Sequence, residues 1–98
     1  GSEMCIRDRL NNMPYVNESL VILSDNKLVA LVYADNEEAF SQGMDKKQLE
    51  AAIEANRVML NKTLPAYSQI AHVKLYPEEF EKTAKKSIKR YLYQDIKE

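Results

Sequence analysis

Lys82, Thr83, Lys85, Lys86, Lys89 and Arg90 are the residues of this chain whose types and spacing suit phosphate chemistry. Five of them are cations, crowded between positions 82 and 90 of a 98-residue sequence whose formal charge is only −1. The elements that must position them are a loop and a helix start. Between Phe80 and Ile88 the only apolar residue is the small Ala84, which predicts a loop. From Ile88 the pattern changes. Ile88, Tyr91, Leu92 and Ile96 recur at three- and four-residue intervals, predicting a terminal amphipathic helix that starts near Ser87 with that serine as N-cap. A basic loop feeding a helix N-terminus is a place for anionic groups.

The same residues also suit a plainer role, since a lysine cluster ahead of a surface helix serves as a solvated face. Ser87 reads as a cap rather than a nucleophile, because His72, the only histidine, falls on a predicted strand with no evident link to it. His72 itself reads as structural or exposed. Glu78 and Glu79 are adjacent carboxylates, and adjacency does not set the separation that acid/base pairs need; they read as a surface pair flanking the basic loop. Tyr91 and Tyr93 read as packing and edge residues rather than a base-stacking platform. With one histidine and one cysteine, a zinc-type metal site is not expected.

Upstream, Ile6, Leu10 and Met13 lie on one face of a short helix ending before Pro14, with Arg7, Asp8 and Arg9 toward water. Residues 18–23 and 27–33 are β-rich runs separated by Ser24, Asp25 and Asn26, a hairpin signal. Both runs are apolar on both faces, so helices are expected to cover at least part of the hairpin. A short helical turn is expected near Ala39 and Phe40. Asp45, with Gln48 three residues on, forms a capping-box pattern that opens the best helix, running from Lys46 to about Lys62. Leu49, Ala52, Ile53, Met59 and Leu60 mark its buried stripe. Asn56 falls on or beside that stripe and needs a hydrogen-bond partner. Pro65 stops the helix, residues 70–76 alternate as a third strand, and Pro77 ends it. The order αββ(α)αβα predicts an α+β fold, a small three-stranded sheet flanked by helices.

The composition, 45% hydrophobic and 30% charged, is that of a soluble globular protein, and no apolar run approaches the roughly 20 residues that span a bilayer. The single cysteine, Cys5, excludes an internal disulfide and fits a reducing cytoplasm. Gly1 and Ser2 read as a cloning scar, leaving 3–98 as one domain. Near-zero net charge argues against a dedicated nucleic-acid binder.

The order Phe-x-Lys-Thr, a short polar loop, then Ile-x-Arg at residues 80–90 resembles the C-terminal catalytic loop of the adenylate-forming enzymes, the acyl-CoA synthetase, adenylation-domain and luciferase superfamily. Long-chain fatty-acid CoA ligases are the nearest likeness. Other landmarks keep register: Ile6, Leu10, Pro14, Val16, Glu18 and Ser19 resemble the family's helix and strand entry, although Arg7 stands where a glutamate is expected. Residues 28–32 resemble its second strand, and Asn61, Leu64, Pro65, Tyr67 and Ile70 its Asn-x-x-Leu-Pro-x-Tyr-x-x-Ile turn. The likeness runs from Ile6 to Tyr93. It implies a C-terminal lid, beginning just after the family's hinge and glycine-containing loop, that works with a larger N-terminal adenylation domain. ATP, CoA and Mg²⁺ are the implied cofactors of the whole enzyme, a fatty acyl-adenylate its intermediate, and the cytoplasm its place.

In the family's Lys-Thr-x-x-Gly-Lys-Ile-x-Arg pattern the second lysine is catalytic. Gapless alignment puts Lys86 at the glycine and Ser87 at that lysine. Lys86, one position early, is therefore the expected catalytic cation, with Lys85 and Lys89 behind it; Lys82, Thr83 and Arg90 are the expected nucleotide-side contacts. The isolated lid is expected to be inactive. A different class of function remains open from the residues alone: a free-standing module whose basic loop, 82–90, holds an anionic ligand or an RNA backbone. A purely structural interaction domain is a third.

Overall fold

The computed structural model describes residues 2–76 and 78–93, the side chains of 2–5 excepted. The elements in chain order are α1 (Ser2–Asn11), β1 (Val16–Ser24), β2 (Lys27–Ala34), α2 (Asn36–Ser41), α3 (Lys46–Asn61) and β3 (Ile70–Tyr76), with single 3₁₀ turns at Ala66–Ser68 and Arg90–Leu92. The fold is α+β with a three-stranded sheet ordered β1-β2-β3. β1 and β2 are antiparallel, and β3 runs parallel to β2. The crossover between those parallel strands contains α2 and α3, as parallel pairing requires a long connection. Among the described residues no helix is long and apolar enough to cross a membrane.

Local chemistry accounts for most boundaries. Ser24 pairs with Lys27, leaving Asp25 and Asn26 as a two-residue turn. Both have positive φ, 50° and 65°, the signature of a type I′ turn, whose twist matches that of the strands it joins. Helix α2 ends in a Schellman motif: Met44 donates to the Ala39 carbonyl and Gly43 to that of Phe40, with Gly43 at φ 80°. The capping box that opens α3 is complete, Gln48 N–H donating to Asp45 Oδ1 at 2.8 Å and Asp45 N–H to Gln48 Oε1 at 2.9 Å. Asn56 is buried, and its Nδ2 donates to the Pro14 carbonyl at 2.7 Å. At the end of α3, Asn61 pairs with both backbone groups of Ile70, at 2.8 and 2.9 Å, which fixes where β3 begins.

Alternation along the strands builds two cores, one on each sheet face. Val21, Ala30, Val32, Ala34 and Ile70 pack with Ile6 and Leu10 of α1 and with Leu49, Ile53 and Leu60 of α3. The opposite face, with Leu20, Ile22, Val29 and Leu31, is covered by Phe80 and Tyr93, with Tyr33, Tyr76 and Ile88 at its margin. Helices thus cover one face of the hairpin and the segment after β3 covers the other.

Three expectations are corrected here. No α-helix starts at Ser87: Ile88 bridges to Lys82 as a strand residue, and among the described residues one 3₁₀ turn follows. The three- and four-residue spacing was misleading because Tyr91 and Leu92 are exposed, while Ile88 and Tyr93 pack on the sheet. Ile96, the expected end of that helix, and Pro77, the expected stop after β3, lie outside the described residues. Met59 is 62% exposed, since the buried line of α3 runs Leu49, Ile53, Asn56 and Leu60, and places Met59 beside it. Arg7 does not simply face water, because its Nε donates to the Ser19 carbonyl at 2.8 Å.

Candidate functional site

The basic segment is a built hairpin rather than an open loop. Lys82 and Ile88 form an antiparallel bridge. Inside it, Thr83 N–H donates to the Ser87 carbonyl and Lys86 N–H to the Thr83 carbonyl, each at 2.8 Å. Lys86 has φ 66°, in the left-handed region. A β-turn over 83–86 whose last residue is left-handed is the three-residue hairpin loop closed by a G1 bulge, where glycine is the usual occupant. Ser87 is no helix cap; its N–H donates to Thr83 Oγ1 at 3.3 Å.

The segment below the tip is held from two sides. Apolar packing supplies one, with the Phe80, Tyr76 and Tyr93 rings at centroid separations of 5.1 to 5.6 Å. Tyr93 Oη also accepts from Glu81 N–H at 2.8 Å, and Lys89 N–H donates to the Glu81 carbonyl at 2.8 Å. An ion pair supplies the other: Lys82 Nζ sits 2.7 Å from Glu18 Oε2 and 3.9 Å from Glu79. The hydrogen bond with Glu18 raises the Lys82 ammonium above its ordinary value of 10.5, the negative charges of Glu18 and Glu79 adding to it against the opposing effect of burial. Burial raises the Tyr76 phenol above its ordinary 10.0, and the neighbouring Tyr93 adds to it.

This geometry sorts the expected site residues. Thr83, Lys85 and Lys86 are exposed on the hairpin together with Ala84 and Ser87. Lys82 is a tether at its base, occupied by Glu18. Lys89 and Arg90 are half-buried where the chain leaves the hairpin for its 3₁₀ turn. Glu78 and Glu79 are exposed beside the segment and His72 is exposed on β3. Grooves elsewhere, such as the one lined by Phe40, Leu49, Leu75 and Tyr76, contain no hairpin residue. The cations at the tip therefore stand on a projecting turn. Among the described residues no group of three or more His, Cys, Asp or Glu side chains could hold a metal ion.

No family model matches the chain, and no curated protein matches it.

Sequence reasoning missed Glu18 as a partner of the basic segment. A signal was present: Glu18 has the same parity as Leu20 and Ile22, so it points to the face that they bury, and a carboxylate there needs a cation. It also missed the G1 bulge, since lysine stands where the turn favours glycine.

Proposed function

We propose that this chain is the C-terminal lid of an adenylate-forming enzyme of the fatty-acid CoA ligase type, completing the site for carboxylate adenylation and then for thioester formation. One observation carries the reading. The resemblance assigns a glycine to position 86, and the backbone at that position has the left-handed φ that glycine favours. This conformation agrees with the register of the likeness. The order of elements from α1 to β3 supports the same reading, although the expected helix after the basic segment does not start at Ser87.

In adenylation a carboxylate oxygen attacks the α-phosphorus of ATP and pyrophosphate leaves. Negative charge grows on the non-bridging oxygens, and a cation aimed there lowers the barrier. CoA thiol then attacks the acyl carbon and AMP leaves. In this register Ser87 holds the place of the family's lysine and carries no charge, so Lys86 beside it on the exposed tip is assigned that role, with Lys85 as its neighbour. A projecting turn has no pocket of its own, and binding sites are concave; the nucleotide and acyl pocket is therefore assigned to an adenylation domain that the lid closes on by a hinge motion. Among the described residues no group of three or more His, Cys, Asp or Glu could hold Mg²⁺, so this reading leaves its ligands to the adenylation domain. The cytoplasm is the compartment this reading implies. Pairing with Glu18 offsets the charge of Lys82, one of the five cations, which weakens the alternative of an RNA- or polyanion-binding module.

The test is the size of the native polypeptide, detected with an antibody against this domain in a lysate of the source cells. A band several-fold larger than 11.3 kDa supports the lid. A band at the chain's own size overturns it. In the large form, Lys86→Ala is expected to slow acyl-adenylate formation by roughly 10² to 10³.

A further inference from the structure

We propose that Glu18 is a positioning residue that sets where the basic hairpin stands on the sheet, acting through Lys82; its part in adenylation rests on the lid reading above. The geometry on both sides of the pair points to this. Glu18 follows the register shift between Val16 and Glu18 in β1. The next residue, Ser19, is fully buried and tied to α1 twice, its carbonyl accepting from Arg7 Nε and its hydroxyl donating to Asn11 Oδ1. The backbone that carries Glu18 is thus fixed from the helix-covered face, while the side chain serves the opposite one.

Lys82 is the first strand residue of the hairpin and bridges Ile88 across it. A bond from its Nζ to Glu18 Oε2 at 2.7 Å, with the two side chains 28% and 17% exposed, links a rigid strand to the base of the turn that carries Lys85 and Lys86. Exposed ion pairs hold little, but one whose side chains are mostly covered has less water to replace the lost partner, so it constrains geometry more. Glu18 Oε1 is buried and has no hydrogen-bond partner among the described residues. Among the described residues the carboxylate is therefore tied to Lys82. Phe80, Ile88 and Tyr93 hold the segment against the sheet by contacts that have no direction. The ion pair adds the directional constraint that decides where along the sheet the turn sits.

The test is amide hydrogen exchange on the 98-residue chain, comparing Glu18→Gln, Lys82→Met and the double variant. The reporters are Thr83 N–H and Lys89 N–H, which close the hairpin and its exit, with Leu49 and Ile53 amides in α3 as the internal reference. Each single variant is expected to speed exchange at Thr83 and Lys89 by about tenfold or more while the α3 amides stay within about twofold. The double variant should be no faster than the singles, and Lys82→Arg should restore protection. Unchanged hairpin exchange in the singles, or a double effect equal to their product, overturns the proposal. So does equal acceleration in α3, which marks general destabilisation. This outcome is independent of the lid reading, which the polypeptide-size test decides. In the large enzyme, Glu18→Gln should lower kcat for acyl-adenylate formation with KM for ATP little changed.

Discussion

Lys86 is asked to do two things that conflict. Its backbone sits at φ 66°, where a Cβ costs about 1 to 2 kcal/mol, and the proposed lid reading gives its side chain to the α-phosphate. Substitution separates the two demands. Lys86→Gly should stabilise the chain by about 0.5 to 1 kcal/mol, the relief being offset in part by the extra freedom of glycine in the unfolded state. Lys86→Ala keeps a Cβ and should leave stability nearly unchanged. Both remove the charge and should slow adenylation alike. Urea midpoints read the first effect and pyrophosphate release the second; a Lys86→Gly enzyme that is as fast as the wild type would show that the cation is elsewhere on the hairpin.

At the scale of elements, two joints hold the crossover in place and each gives a measurable loss. Asn61 satisfies both the N–H and the carbonyl of Ile70, and Arg57 Nη1 also donates to that carbonyl at 2.8 Å. In Asn61→Ala only the N–H is orphaned, so a cost of about 1 to 3 kcal/mol is expected from thermal unfolding. Gly43→Ala puts a Cβ at φ 80° with open space around it, so the loss, about 1 kcal/mol, comes from backbone strain alone. The elements that sequence revealed are those whose signals are local. Asp25 and Asn26 at the turn, Asp45 with Gln48 at the cap and the demand of Asn56 for a partner all act within a few residues or depend on one buried amide. What it hid is non-local. The spacing at Ile88 suggests a helix start because the sheet face that it packs on is formed some sixty residues earlier in the chain, around Ile22 and Val29. Glu18 reads as a landmark rather than a tether for the same reason, and the 83–87 turn lacks the glycine that would announce it.

At the scale of the whole molecule, a sheet with a core on each face links the basic hairpin to overall stability, and the alkaline limb should reveal the link. Phe80 is 2% exposed at the centre of the core opposite the helices, so Phe80→Ala should cost about 3 to 5 kcal/mol and loosen the segment that carries the hairpin. The ionisable groups beside it act in the same direction. Tyr76 has a folded pKa above its ordinary 10.0, and Lys82 one above 10.5. Below those values the folded and unfolded chains bind the same protons at these groups and their contribution is fully present. As pH rises past them the unfolded chain gives up its protons first, the native chain binds more, and stability falls until the folded values are passed. Denaturation in urea at steps from pH 8 to 11.5 should therefore show a plateau followed by a decline from about pH 10. Tyr76→Phe retains the ring against Phe80 and Tyr93 but has no proton to lose, so its decline should begin later and be shallower, driven by Lys82. In Glu18→Gln the principal cause of the raised lysine value is gone, and the decline should shrink by a different share. A variant pair whose alkaline limbs overlay the wild type would mean that neither group's proton is held by the fold, and that the tether between β1 and the hairpin is weaker than its geometry requires.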